Sequence, residues 1–181
     1  MSDEQLIREI TAGNDAAFKK LMERYQQQLF RTVMGFVHTK EDAEDVTQEV
    51  FISVYRSLHT FQGESEFSTW LYRITVNMSL NFLRSNRKKR LLDSLEALFT
   101  LRSDEKTPLE ELESAERDRR IRKAIDSLPE KQRMAFILSR YEELPQKKIA
   151  AVMNRSEGAV EQLLQRAKEN LQKKLSPTIG K

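Results

Sequence analysis

Ile149-Ala150-Ala151-Val152-Met153-Asn154-Arg155-Ser156-Glu157-Gly158-Ala159-Val160 is the stretch whose reading decides the fold. Pro145–Met153 has the length of one short helix, and Asn154-Arg155 has that of a tight turn. Ser156 can cap a second helix, with an apolar stripe of Val160, Leu164, Ala167, Leu171 and Leu175. Ala150 is small where two such helices must approach closely, and Asn154 tolerates the left-handed backbone the turn needs. These are helix-turn-helix dimensions. In that geometry Ser156, Glu157, Gly158 and Ala159 sit at a helix N-terminus, where backbone amides can meet phosphate and side chains can reach bases. Arg166, Lys168, Lys173 and Lys174 bring positive charge farther along. The same spacing also fits a helical hairpin that touches no DNA.

Working outward, Pro129 starts a helix carrying Met134, Ile137, Leu138 and Tyr141, preceded by the periodic Ile121, Ile125 and Leu128. From about Lys89 to Glu113 the pattern weakens into Ser, Asp and Glu with Pro108 inside, the composition of a linker; Leu91, Leu92, Leu95 and Leu98 leave room for a short docking helix. Upstream, a long helix with Leu71, Ile74, Met78 and Phe82 on one face is expected to start from a Ser68 cap and to end in basic residues. Before it, Thr60–Glu66 reads as a loop around Gly63. Thr39 is placed to cap a helix with the stripe Ala43, Val46, Val50, Val54 and Leu58. Asn14 or Asp15 can cap another through Phe18, Leu21, Tyr25, Leu29 and Val33, and Ser2 with Gln5 resembles a capping box. The expectation is an all-α chain of two small helical domains joined by a flexible linker, the second containing the helix-turn-helix. The expected boundaries are 1–88, 89–114 and 115–181.

Composition agrees. Of 181 residues, 5 are Gly and 4 Pro, too few helix breakers for a strand-and-turn protein. Cys is 0, which excludes a disulfide scaffold, a thiolate metal site and a cysteine nucleophile. No apolar run approaches a membrane span, and the N-terminus lacks signal-peptide character, so a cytoplasmic protein is expected. The net charge of +3 is segregated: five acids and no base in 41–49, five bases and no acid in 84–90. Such blocks suit a chain that meets an anionic polymer with one face and a basic protein surface with another.

Phe67 to Arg90 puts aromatics, hydroxyls, amides and bases on one helix. Aromatic faces stack on unpaired bases, amides bond base edges and Lys/Arg follow the backbone, although Trp70 alone also reads as core. Asn77 and Asn81, four apart with Arg84 next along, form a polar ridge that packing does not explain. Catalysis is not expected. His38 and His59 are the only histidines, neither has metal-ligand spacing, and no phosphate-cradling glycine loop or nucleophile elbow is present. Neither cofactor nor metal is expected.

Two motifs in order then carry a resemblance. Glu44-Asp45-Val46-Thr47-Gln48-Glu49-Val50-Phe51, followed by Phe67-Ser68-Thr69-Trp70-Leu71-Tyr72-Arg73-Ile74 with Asn77, resembles the promoter-melting domain of bacterial RNA polymerase sigma factors. Leu128-Pro129-Glu130-Lys131-Gln132-Arg133 and the helix-turn-helix resemble the second domain of the small extracytoplasmic-function (ECF) group. The resemblance implies a dissociable sigma subunit that docks on core RNA polymerase through Asp42, Asp45, Gln48, Glu49, Phe51 and Tyr55. It implies reading of a melted −10 element by Phe61, Gln62, Ser65, Ser68, Thr69, Trp70, Arg73, Asn77, Asn81, Arg84, Arg87 and Lys88. It implies reading of duplex −35 DNA by Ser156, Glu157, Gly158, Ala159, Glu161, Gln162, Gln165 and Arg166. The partners implied are core polymerase, promoter DNA and an anti-sigma factor, through which alone the chain would meet a membrane. Four departures stand out. Asn81 occupies a position where relatives often have Asp, Asn154 one where they often have Gly, Arg155 a turn position that is usually apolar, and the recognition helix reads Glu161-Gln162-Leu163-Leu164-Gln165 rather than a basic stretch. The competing readings are a stand-alone helix-turn-helix regulator and a sigma-like decoy that sequesters an anti-sigma factor.

Overall fold

The computed structural model describes residues 1–96 and 109–176, with side chains over 1–86 and 115–176. Among the described residues every regular element is a helix. The first domain comprises α1 (Asp3–Thr11), α2 (Asp15–Val37), α3 (Lys40–Ser57), a 3-10 turn at Leu58–Thr60, and α4 (Phe67–Glu96). The second comprises α5 (Leu109–Asp126), α6 (Glu130–Arg140), α7 (Gln146–Met153) and α8 (Glu157–Leu175).

Local chemistry sets the helix starts. Ser2 and Gln5 close a capping box on α1, with Ser2 N donating to Gln5 Oε1 at 2.8 Å and Gln5 N to Ser2 Oγ at 3.3 Å. Asn14 caps α2 through Ala16 N (3.1 Å), and Thr39 caps α3 through Asp42 N (3.3 Å). Ser68 does not cap α4. The helix begins one residue earlier, where the Glu66 carbonyl accepts Thr69 N (2.9 Å) and Trp70 N (3.3 Å), and Ser68 lies inside its first turn. Downstream, α4 runs to Glu96 and α5 begins at Leu109, so helix extends into both ends of the stretch that composition reads as linker. Leu91, Leu92 and Leu95 are good helix formers, and from Arg84 no Gly or Pro intervenes before Pro108, so propensity alone gives α4 no reason to stop at the basic run. The side chains of Leu91, Leu92, Leu95 and Leu98 lie outside those described.

The apolar stripes meet as their periodicity requires. Leu29, Val33 and Phe36 of α2, Val46, Val50 and Val54 of α3, and Leu71 and Val76 of α4 are fully or almost fully buried. In the second domain, Ile137 and Leu138 of α6, Ile149 of α7 and Val160 of α8 are equally enclosed. The two cores are continuous, because α6 and α7 lean on α2 and α4. Gly35 permits that approach. A Cβ on it would stand 2.8 Å from Ile137 Cγ2 and 3.3 Å from Tyr141 Cγ, so any side chain there would push α6 away. In the helix-turn-helix, Asn154 takes the left-handed conformation (φ 51°, ψ 54°) and Ser156 Oγ accepts Ala159 N at 3.2 Å. Leu163 and Leu164 are half-buried against the core rather than turned to solvent.

Candidate nucleic-acid interface

α4 is the element on which the polar ridge stands. Thr75 and Ser79 turn inward and satisfy their hydroxyls on the carbonyls one turn back, at 2.9 and 2.8 Å, which leaves Asn77, Asn81 and Arg84 outward. At the N-terminal end, Phe61, Phe67 and Trp70 form an aromatic triad with ring centroids 5.4 to 5.7 Å apart. Trp70 is half-buried, with one part in that triad and the rest accessible. Gln62 is exposed and Ser65 half-buried in the preceding loop. Thr69 is a correction. It is 2% exposed, about 100° around the helix from the half-buried Ser68 that meets Lys148, and offers no surface to a strand. Arg87 and Lys88 lie outside the residues whose side chains are described.

The α4 face meets the second domain directly. Arg73 donates from Nη2 (2.6 Å) and Nε (3.2 Å) to the Ala151 carbonyl, in the last turn of α7, where a helix leaves its carbonyls unpaired. Arg84 forks onto Glu130, with Nε to Oε1 at 2.8 Å and Nη2 to Oε2 at 2.6 Å, and its third nitrogen reaches Asn81 Oδ1 at 3.2 Å. That fork holds the Glu130 carboxyl below its usual range. Lys148 of α7 bonds Ser68 Oγ (2.6 Å) and pairs with Glu66, whose carboxyl is lowered in consequence. In the reverse direction Arg133 of α6, buried across Phe36, donates to the Phe36 carbonyl at 2.6 Å and to Asp126 at 2.6 Å. Burial lowers its pKa and the Asp126 charge opposes that. Each domain thus supplies an arginine that closes a helix C-terminus of the other.

Glu142, in the turn between α6 and α7, is the deepest of these groups, with its side chain 2% exposed. It accepts from Tyr72 OH (3.1 Å) and from Arg31 Nε and Nη2 (3.3 Å each). Burial raises its pKa from the usual 4.5 despite Arg31 beside it, and burial also raises that of Tyr72. Sequence reading missed Glu142, Gly35, Glu130 and Lys148, because a contact between domains has no period along the chain.

The other two faces differ. On α3, Asp45, Gln48 and Glu49 are exposed and Asp42 half-buried, forming one acidic surface. Phe51 does not belong to it: at 5% exposure it packs inside, and Ile52 (46%) and Tyr55 (49%) supply the apolar part instead. Tyr55 OH donates to Asp15 at 2.9 Å and its ring sits edge-on to Phe18. On α8, Ser156, Glu157, Gly158, Glu161, Gln162, Gln165 and Arg166 are exposed, and Ala159 is half-buried.

A helical domain with an amide-and-base ridge, joined to a helix-turn-helix domain, is the layout of a two-part promoter-recognition protein. The chain matches the family description Sigma-70 region 2 over residues 21–89 and Sigma-70, region 4 over residues 118–171. It is 34% identical to the RNA polymerase sigma-H factor of Pseudomonas aeruginosa, over 98% of this chain and 95% of that one. It is 33% identical to the ECF RNA polymerase sigma-E factor of Escherichia coli K12, over 99% and 97%. Among solved structures it superposes on CnrH in complex with the cytosolic domain of CnrY, with TM-score 0.71, 23% identity and 97% of each chain covered. It also superposes on the sigma factor RpoE of Bartonella quintana in complex with the anti-sigma factor NepR, with TM-score 0.60, 20% identity and 88% and 96% covered. The chain belongs to the sigma-70 family of RNA polymerase sigma factors, in its ECF branch. Its function is that of a sigma subunit in transcription initiation, not of a stand-alone regulator.

Proposed function

We propose the following division of labour for this sigma subunit. The surface made by Asp45, Gln48 and Glu49 with Ile52 and Tyr55 docks on a basic surface of core RNA polymerase, with Asp42 at its edge. The loop from Phe61 to Ser65 and the α4 ridge of Trp70, Arg73, Asn77, Asn81 and Arg84 hold the −10 element as a single strand, with Ser68 at the entrance and Arg87 and Lys88 following the backbone. The N-terminus of α8, from Ser156 to Arg166, enters the major groove of the −35 element. Residues 1–88 and 115–181 act as the two functional domains. The observation that carries this reading is the pairing, on adjacent helices, of an exposed acidic surface with an outward Asn77-Asn81-Arg84 ridge. A duplex-only binder has no use for that pairing.

Unpairing bases costs a few kcal/mol, which stacking and base-edge contacts of roughly 1–3 kcal/mol per base offset. The near-neutral run Glu161-Gln162-Leu163-Leu164-Gln165 forms few phosphate contacts, so the −35 element contributes less than the −10 element. An anti-sigma factor is the regulatory partner, a reading supported by the Bartonella neighbour's complex with one. No catalysis, metal or cofactor enters this mechanism. Among the described residues no helix is long and apolar enough to cross a membrane. The test is run-off transcription on fragmented genomic DNA with purified core polymerase. Discrete new start sites that vanish with Trp70→Ala, Asn77→Ala and Asn81→Ala support the reading. Core binding without transcripts would favour a decoy.

A further inference from the structure

We infer that α8 reads the −35 element through an acid: Glu161 selects cytosine over guanine at one base pair, and Gln165 selects adenine at the next. The inference rests on the assignment of α8 to the major groove and names the bases it takes there. From Glu157 to Gln165 the helix carries two acids and no base, where a surface built only to hold phosphates would carry the reverse. Val160, Ala167 and Leu171 are buried, so the helical turn leaves two exposed ridges on the far side, each with side chains one turn apart. Glu161 and Gln165 form one. Gln162 and Arg166 form the other, and Arg166 suits it to the phosphate wall of the groove. The first ridge then faces the base edges, since a carboxylate turned to phosphate meets like charge.

The major groove offers a carboxylate few partners. Cytosine presents its N4 amino group there, guanine presents only the acceptors N7 and O6, and thymine presents an acceptor and a methyl. Adenine has a donor at N6, but its N7 acceptor lies beside it. Glu161 therefore accepts from cytosine N4 and is repelled by guanine, so it discriminates by exclusion as well as by attraction. Gln165 is prepared for adenine. Its Nε2 donates to Glu169 Oε1 at 2.9 Å, which holds the amide in one orientation. Its Oε1 is then placed to accept from adenine N6, and its second N–H to donate to N7. One helical turn along a recognition helix matches about one base step, so the two bases are neighbours. Gly158 supports close approach. A Cβ there would meet nothing within 4 Å, and its backbone is helical, so neither packing nor strain inside the chain calls for glycine. The missing side chain lets the first turn of α8 come close to an outside surface.

The test uses the full chain with core polymerase on a promoter mapped by run-off. The −35 base pairs are randomised, the −10 element is held fixed, and output from each template is counted by a transcribed barcode. Wild type should favour cytosine over guanine roughly tenfold at one base pair, and adenine at its neighbour. Both side chains are exposed, so their replacement leaves the core of the domain intact. Glu161→Ala should erase the first preference by raising output from guanine-bearing elements, and should leave the second. Glu161→Arg should turn the first preference to guanine, through the fork that arginine offers to O6 and N7. Gln165→Ala should erase the adenine preference alone. Equal gain on every element with Glu161→Ala is what a merely solvated acid gives, and it overturns the proposal. So does a cytosine preference that survives that change. A wild type that initiates but is indifferent to every −35 base pair refutes the assignment of α8 to the groove, and the base code with it. Output that depends on other −35 bases and is unmoved by Glu161→Ala refutes the code alone.

Discussion

The α4 ridge and the N-terminal face of α8 are both assigned to DNA, yet they are presented in opposite ways. The ridge carries Arg73 and Arg84 and has them bonded to the second domain; the α8 face carries Glu157, Glu161, Gln162 and Gln165 and stands open. The basic surface is covered and the near-neutral one is bare. Non-specific affinity for DNA scales with the number of phosphates neutralised, so the two faces differ in the electrostatic attraction they can offer DNA.

The sharpest way to break this comparison is on the ridge. Asn77→Ala with Asn81→Ala should lower promoter-specific transcripts by roughly 30-fold or more, at about 1–3 kcal/mol for each of the two lost base-edge contacts, with core binding by pull-down unchanged. Should transcripts persist near wild-type level, the ridge is not the reading surface. The packing beneath it ranks next. Val50→Ala, at a fully buried site, should cost about 1–2 kcal/mol and lower the melting midpoint by several degrees, read by calorimetry. Ser156→Ala should remove about 1 kcal/mol by loss of the Ala159 cap, a smaller drop in melting midpoint than Val50→Ala gives.

Changes on α8 should be smaller in effect but diagnostic. Gln162→Lys adds one phosphate contact and should steepen the salt dependence of duplex binding by about 0.9 in log K against log salt. If it does not, the N-terminus of α8 lies away from the groove. The least effect is expected from pH on the contact between the two domains, closed when they pack as observed and open when they part. Glu142, raised in the closed chain from 4.5, takes up a proton there before it does in an open chain, so acidification from neutrality first favours closure. Glu66 and Glu130 are lowered, so their contribution is present above 4.5 and is lost as pH falls below it. The separation of the two domains, read by dyes on Glu23→Cys and Gln172→Cys in this cysteine-free chain, should pass through a minimum near the usual carboxylate range and lengthen on either side. Glu142→Gln should abolish the alkaline arm.

What the sequence disclosed follows from what has a period or a cap. The helix order, the Asn154 turn, the Ser156 cap and the inward stripes were all legible, because each is set by neighbours three or four residues away. Phe51 and Thr69 were misplaced because a motif names residue types without distinguishing those that touch a partner from those that hold the helix in position. Ser68 was misread as a cap because hydroxyls suit both an N-cap and a first helical turn. Glu142 and Gly35 gave no signal. Their role exists only once residues far apart in the chain meet, and nothing local distinguishes an exposed glutamate from one with 2% exposure.

The claim on which the rest depends is that α4 holds the melted strand. Permanganate reactivity of thymines on a promoter mapped by run-off tests it directly, with core polymerase and either wild type or the Asn77→Ala, Asn81→Ala variant. The account predicts reactive thymines at the −10 element with wild type, none with the ridge variant, and their retention with Gln162→Ala at raised protein concentration. Equal melting by the ridge variant would contradict it.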